Sequence, residues 1–88
     1  MDKRHNEILL ILQEECAEVI QAVSKIKRFG MENNREQFEQ EVADVICMID
    51  LCYQHGLLNQ DAEKILDRIK IKQERLKKYS SIYETEST

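Results

Sequence analysis

The sequence contains no proline, no tryptophan and only two glycines among its 88 residues. Because proline and glycine are the residues that most often interrupt helices, their scarcity favours long, uninterrupted ones. Apolar residues recur at the spacing of a helix face, and this leaves little room for a β-sheet. The sequence therefore predicts an all-α protein.

The sequence also lacks a long apolar run. No stretch approaches the roughly 20 apolar residues of a membrane-spanning helix. Residues 1–6 do not lead into a signal peptide, because Glu14 and Glu15 soon interrupt the apolar residues that follow. The formal net charge of −4 argues against a nucleic-acid polymer as a partner. We expect a cytoplasmic protein that binds neither nucleic-acid polymers nor membranes.

The three cysteines, Cys16, Cys47 and Cys52, are an odd number, which does not suit a disulfide framework. Each of them lies in an apolar helical pattern, so we interpret them as reduced packing residues. A disulfide or a thiolate ligand is the less favoured alternative. Cys16 has no histidine nearby in the sequence that would act as its base, and we assign it no catalytic role.

The first predicted helix begins at Asp2 or Lys3 and ends at Arg28. Asp2 and Asn6 are its candidate N-caps, and Gly30 is a typical residue to follow a helix C-terminus. The apolar face of this helix consists of Ile8, Leu12, Val19, Val23 and Ile26. Such a face predicts that the helix packs against a second element.

The second predicted helix follows Asn34, which we pair with Gln37 as an N-cap, and extends to Gln54. His55 and Gly56 close it. His55 is isolated near a helix C-terminus, so capping or exposure is favoured over metal ligation. The second half of this helix is apolar nearly all round, which predicts a central position.

The third predicted helix begins at Gln60 or Ala62 and ends at Tyr79. Its expected buried stripe consists of Ala62, Ile65, Leu66, Ile69 and Leu76. We assign residues 1–79 to one helical domain. Residues 80–88 are rich in Ser, Thr and Glu, and we expect this tail to fray.

Two acidic segments lie inside the apolar helical pattern. Glu14, Glu15 and Glu18 fall within an arc of roughly 100° on a helix, and Glu41 and Asp44 lie about one turn apart. All five carboxylates can therefore point from two facing helices toward one place. The sequence predicts a carboxylate cluster between the first and second helices.

A carboxylate cluster of this kind needs a cation. Neighbouring carboxylates repel each other, and a small domain with about 5–15 kcal/mol of total stability cannot easily hold five uncompensated ones. A site made only of carboxylates, without His or Cys, suits a hard cation such as Mg²⁺ or Mn²⁺. Such ions also bind phosphate oxygens. The carboxylates therefore predict metal-assisted phosphoryl chemistry.

The order Glu-Glu-x-x-Glu followed about twenty residues later by Glu-x-x-Asp resembles the signature of the MazG-like, all-α nucleoside triphosphate pyrophosphohydrolases. In this sequence the signature consists of Glu14, Glu15, Glu18, Glu41 and Asp44. The sequence from Leu12 to Gly30 is also similar to that family. The resemblance extends over residues 7–79.

The resemblance implies a magnesium-dependent hydrolase that converts a ribo- or deoxyribonucleoside triphosphate to the monophosphate and pyrophosphate through a metal-activated water. Two or more Mg²⁺ or Mn²⁺ ions would bind to Glu15, Glu18, Glu41 and Asp44. Glu14 would orient or deprotonate the attacking water. The resemblance also implies homodimers or homotetramers whose active sites borrow residues from neighbouring subunits.

Basic residues near the ends of the first and third helices are candidates for contacts with the substrate. The candidates for phosphate binding are Lys25, Lys72, Arg75 and Lys78. The alternative is that these cations only complement the helix dipoles. The chain departs from the family pattern in one respect, because Arg75 stands where family members often carry Asn and Ile71 where they carry Lys.

Three helices can bury one another's apolar stripes only in part. We therefore expect an antiparallel bundle of three helices per chain that is completed by dimerisation through the second helix. Two alternatives to the enzyme remain: a non-catalytic helical dimerisation or regulatory module, and a degenerate family member that binds nucleotides without cleaving them. The sequence leaves the preferred base and sugar open.

Overall fold

The computed structural model describes residues 1–85, which form three α-helices and no β-strand. α1 comprises Lys3–Phe29, α2 Arg35–Gln54 and α3 Glu63–Tyr79. None of these helices has the length and apolar character needed to cross a bilayer. The all-α fold predicted from the sequence is confirmed.

The two ends of α1 are capped as the sequence predicts. Asp2 is the N-cap, and its Oδ1 accepts a hydrogen bond of 2.8 Å from the backbone N–H of His5. At the other end Gly30 has a φ of 88° and donates its N–H to the carbonyl of Ile26. Glycine adopts positive φ without a steric penalty, which explains why the helix ends there.

The predicted pairing of Asn34 with Gln37 at the start of α2 is not formed. Asn34 is the N-cap residue, but its side chain accepts no capping hydrogen bond. Its φ of −120° and ψ of −12° differ from the extended conformation that directs an N-cap side chain at the first turn. The amide instead donates to the carbonyls of Gly30 and Glu32, which stabilises the turn between α1 and α2.

α1 and α2 pack side by side in opposite directions. Ile8, near the start of α1, is buried with Met48 and Cys52, near the end of α2. The ring Nε2 of His5 also lies 2.7 Å from the carbonyl oxygen of His55, which follows α2. This antiparallel packing brings the middles of the two helices, which carry the acidic segments, beside each other.

The core of this helix pair is small. The buried residues are Ile8 and Ala22 on α1 and Met48 and Cys52 on α2. The residues that pack around the Ile8 cluster are Ile11, Leu12, Leu51, Leu57 and Leu58. The prediction that α2 is central is not met within one chain, since Ile46 and Ile49 are 61% and 46% exposed. An apolar second face is buried only if another surface covers it.

The cysteines are all free, as expected, but only Cys52 is buried. Cys16 and Cys47 are exposed, so the prediction that all three are packing residues is wrong for these two. Both lie in apolar sequence, but their positions on α1 and α2 turn them away from the contact between the helices. Apolar neighbours in the sequence do not reveal which side of a helix is covered.

The chain divides into two compact units, one of residues 1–58 and one that starts at Asn59. In the second unit the Asn59 side chain accepts a hydrogen bond from the Asp61 N–H, and the Asp61 side chain accepts one from the Glu63 N–H. Such bonds are typical of turns that precede a helix. They explain why α3 begins at Glu63, slightly later than predicted.

The buried stripe predicted for α3 is not buried. No residue of α3 is buried, and Ile65, Leu66 and Ile69 are 38%, 55% and 47% exposed. Leu76 is half-buried and Ala62 is exposed. Helical periodicity identifies residues that share a face, but burial requires a surface to cover that face. The prediction was wrong for this reason.

The beginning of the predicted C-terminal tail forms hydrogen-bonded turns. The Ser80 hydroxyl donates to the Leu76 carbonyl at 2.7 Å, and the Glu84 N–H donates to the Ser81 carbonyl. The last part of the tail predicted to fray, residues 86–88, lies outside the described residues. The single domain of residues 1–79 stays a prediction.

Candidate metal site

Three carboxylates meet where the middles of α1 and α2 face each other. Glu15 comes from α1, and Glu41 and Asp44 come from successive turns of α2. One oxygen of each side chain lies within 4.8 Å of one oxygen of each of the others. Glu15 and Glu41 are half-buried and Asp44 is exposed, so the cluster opens to solvent on one side.

No basic side chain of the described residues forms an ion pair with these three carboxylates. Among residues 1–85, the pairs of basic and acidic side chains in close contact are His5 with Asp2 and Lys77 with Glu74. Within residues 1–85 the negative charge of the cluster is therefore not balanced by a direct ion pair. This is the electrostatic situation in which a bound cation would stabilise the fold.

The pKa of Glu15 reflects its surroundings. Partial burial raises the pKa of this carboxyl above its ordinary value, and the neighbouring charges of Asp44, Glu41 and Glu18 raise it further. A hydrogen bond with Asp44 acts in the same direction, because it favours a proton on Glu15. The site therefore favours either a proton or a metal ion between the two helices.

Gln37 contacts the cluster from one turn earlier on α2. Its side-chain amide donates a hydrogen bond to Oε1 of Glu41. From the sequence, Gln37 is predicted to pair with Asn34 at the helix N-terminus and has no part in the site. The signal was nevertheless available, since residues four apart on a helix are neighbours on its surface.

Two of the five predicted carboxylates lie outside the group of three. Glu18 follows Glu15 by about one helical turn and is exposed, but it is close enough for its charge to raise the pKa of Glu15. Glu14 is exposed beside Glu15. The structure thus brings together Glu15, Glu41 and Asp44, with Glu14 and Glu18 on the adjoining surface of α1.

The basic residues proposed to bind phosphate are all exposed. Lys25 lies on α1, about two turns after Glu18. On α3, Arg75 and Lys78 line a shallow surface groove, and the Lys78 ammonium lies 5.6 Å from the ring centroid of Tyr79. Lys72 is exposed on the same helix. These positions leave the cations accessible to an anionic ligand.

The donor atoms of the cluster fit a hard divalent cation. Carboxylate oxygens are the ligands that Mg²⁺ and Mn²⁺ prefer, and no thiolate or imidazole is part of the group. Because Mg²⁺ keeps about six oxygen ligands, three carboxylates would leave room for water or phosphate oxygens. Fold and site together define a helical protein with a candidate site for a divalent cation.

A match over most of the sequence shows the family to which the chain belongs. Residues 3–80 match the MazG nucleotide pyrophosphohydrolase domain, and the chain belongs to this family. The match contains all three helices and all five acidic residues. Neither a curated protein nor a solved structure matches the chain significantly. The resemblance noted in the sequence is thereby confirmed at the level of the family, which acts on nucleotides and is generally metal-dependent.

Proposed function

We propose that this protein is a magnesium-dependent pyrophosphohydrolase that converts nucleoside triphosphates, ribo or deoxyribo, to the monophosphate and pyrophosphate. The observation that supports it most directly is the meeting of Glu15, Glu41 and Asp44 without a basic partner among the described residues. This meeting occurs in a chain of the MazG family. A site of this composition suits the binding of a metal–triphosphate complex.

In this proposal Glu15, Glu41 and Asp44 hold Mg²⁺ or Mn²⁺. Glu18 lies beside them on α1 and would supply a fourth carboxylate, and the proposed site would bind two or more ions. When bound, the ions would neutralise the charge of the triphosphate and lower the pKa of a water molecule. The raised pKa of Glu15 is consistent with this role, because a cation would offset the desolvation by burial and the repulsion from Asp44, Glu41 and Glu18 that raise it.

Glu14 is the proposed base. It is exposed next to Glu15, which leaves its carboxylate free to accept the proton of the attacking water. The water oxygen forms a bond to the α-phosphorus, the bond from that phosphorus to the oxygen that bridges to the β-phosphorus breaks, and pyrophosphate leaves. The choice of this bond rests on membership of the family.

The four exposed basic residues Lys25, Lys72, Arg75 and Lys78 are proposed as contacts for phosphate oxygens. Their charge and accessibility support this assignment. Arginine and lysine both bind phosphate, arginine through two parallel N–H groups and lysine as a point charge. The contacts would act on the outer oxygens of the triphosphate, which keep negative charge when the metal is bound.

We also propose that the protein is a homo-oligomer. Ile20 and Val23 on α1 and Ile46 and Ile49 on α2 are exposed. On each helix, these residues lie to one side of the residues that face the other helix, whereas Glu18 and Asp44 lie to the other side. Because the two helices are antiparallel, rotation in the same direction round each helix leads to the same surface of the pair. The four apolar residues therefore form one apolar side, away from the carboxylates. A second copy that covers this side would form a dimer, which could pair into a tetramer.

The test of the proposed reaction is product release from a panel of ribo- and deoxyribonucleoside triphosphates, with Mg²⁺ and with excess chelator. Metal-dependent release of pyrophosphate and matching monophosphate is the expected result. Release of orthophosphate would mean that another bond is cleaved. Nucleotide binding without products would identify a degenerate family member, and absence of both metal and nucleotide binding would identify a non-catalytic helical module.

A further inference from the structure

Gln37 lies next to the carboxylate cluster but outside it. Its side-chain amide donates to Oε1 of Glu41, and Glu41 is one of the three residues whose oxygens converge. We propose that Gln37 is a positioning residue, which holds one oxygen of Glu41 so that the carboxylate is oriented toward Glu15 and Asp44. This inference rests on the proposed metal-dependent function.

The physical reason is the freedom of the carboxylate group. The last torsion of a glutamate side chain has broad minima, so an unrestrained carboxylate rotates. A hydrogen bond to one oxygen reduces this rotation and leaves the other oxygen available to a cation. Groups that orient metal ligands in this way typically change metal affinity or activity by about 10–100-fold when they are removed.

The amide is well suited to this role because it is neutral. A lysine at position 37 could also donate to Glu41, but its charge would neutralise the carboxylate and compete with the metal ion. The Gln37 amide leaves the negative charge of Glu41 in place. A neutral donor therefore orients the ligand and preserves its attraction for a cation.

The same helix contains a matched pair for comparison. Gln54 donates to Oδ2 of Asp50 across the same spacing of four residues, and both residues are exposed. Asp50 is not part of the three-carboxylate group. Loss of the Gln54 amide therefore removes an equivalent surface hydrogen bond from α2 without touching the cluster.

The experiment compares Gln37→Met with Gln54→Met. Methionine is similar to glutamine in length and helix propensity, but its side chain has no N–H group to donate a hydrogen bond. Mn²⁺ binding to the nucleotide-free protein is measured by isothermal titration, and thermal unfolding is measured in chelator. We expect the Gln37 variant to bind Mn²⁺ about 10-fold more weakly than the parent. The Gln54 variant should match the parent, and the two variants should unfold at similar temperatures.

Turnover gives a second readout. The Gln37 variant should need about 10-fold more metal for half-maximal activity, in line with its weaker binding. Its kcat at saturating metal should approach that of the parent, because Gln37 touches neither substrate nor the attacking water in this proposal. A general defect in α2 would instead lower the unfolding temperature and would affect both variants.

The outcomes separate the two proposals. If the parent binds Mn²⁺ and Gln37→Met binds it equally well, the positioning role is overturned while the proposed function stands. Equal loss of affinity in both variants would also overturn it, because the effect would then belong to α2 as a whole. If the parent takes up no Mn²⁺ and releases no pyrophosphate, the proposed function itself fails.

Discussion

Glu15 on α1 and Asp44 on α2 face each other across the contact between the two helices, with side-chain oxygens within 4.8 Å of one another, and the proximity of Asp44 helps to raise the pKa of Glu15. The two residues are far apart in the sequence and meet because the helices are antiparallel. A carboxyl group with a raised pKa binds a cation in its deprotonated form, so metal binding at this pair would compete with a proton on Glu15.

Replacement of Asp44 should separate metal binding from folding. We expect Asp44→Asn to abolish magnesium-dependent pyrophosphate release, because it removes one of the three converging carboxylates. The metal-free variant should be at least as stable to heat as the parent, since repulsion with Glu15 is relieved. Asp50→Asn, on the same helix but outside the cluster, is the control and should keep full activity. Turnover by Asp44→Asn at the parent rate would show the site assignment to be wrong.

The stability of the metal-free protein should depend on pH through Glu15. Its pKa is raised above the ordinary value of 4.5, so in the range just above that value the folded state keeps a proton that the unfolded state has lost. Stability should therefore fall as the pH rises through this range, and it should become level once Glu15 is ionised in both states. Melting temperatures measured in chelator across the acidic range test this.

Two comparisons isolate the contribution of Glu15. Glu15→Gln should lack the fall in stability, and a fall of the same size in this variant would contradict the prediction. Asp2 acts in the opposite sense, because the backbone N–H of His5 lowers the pKa of its carboxyl below the ordinary 3.8. Its contribution is lost as the pH falls through the lowered pKa, in a range distinct from that of Glu15.

The small core makes Ile8 important for stability. Ile8 is 7% exposed and packs with Met48 and Cys52 at the junction of the two helices. Ile8→Ala should lower the free energy of unfolding by about 2–5 kcal/mol, because it removes buried methyl groups and leaves a cavity. Leu10→Ala, at a position 53% exposed, should change it by less than about 0.5 kcal/mol. Urea unfolding of both variants tests this, and equal effects would contradict the assigned packing.

The apolar side away from the carboxylates should be the contact between subunits. Ile46→Glu places a charge in the middle of this side and should convert the oligomer to monomers in sedimentation velocity experiments. Cys47→Glu places the same charge about 100° further round α2, where no apolar stripe lies, and should leave the assembly intact. If the parent is monomeric, or if both variants dissociate, this contact is not the interface.

The bounds of the helices could be predicted from local signals. Asp2 and Gly30 have clear capping chemistry, and the structure places them at the two ends of α1. The cap of α2 could not be predicted in the same way, because Asn34 has a choice of backbone partners and bonds to the turn before it. Where a side chain has several acceptors nearby, the backbone geometry of the loop decides which of them it bonds to.

The candidate site could be predicted only in part. The motif identified the acidic residues, and helical spacing placed Glu41 and Asp44 on neighbouring turns. Which carboxylates converge depends on how α1 and α2 rotate against each other, and this rotation is set by packing around Ile8, Met48 and Cys52. The part played by Gln37 was missed because an amide four residues before a carboxylate is common on helix surfaces.

The sequence by itself determined that this protein is helical, where its helices begin and end to within a few residues, and to which family it belongs. These properties depend on periodicity, capping and motif spacing, all of which are local along the chain. Only the tertiary structure decided that Glu15, Glu41 and Asp44 meet and that α3 leaves its apolar stripe exposed. The reason is that convergence and burial depend on which surfaces face each other, and residues distant in the sequence decide this together.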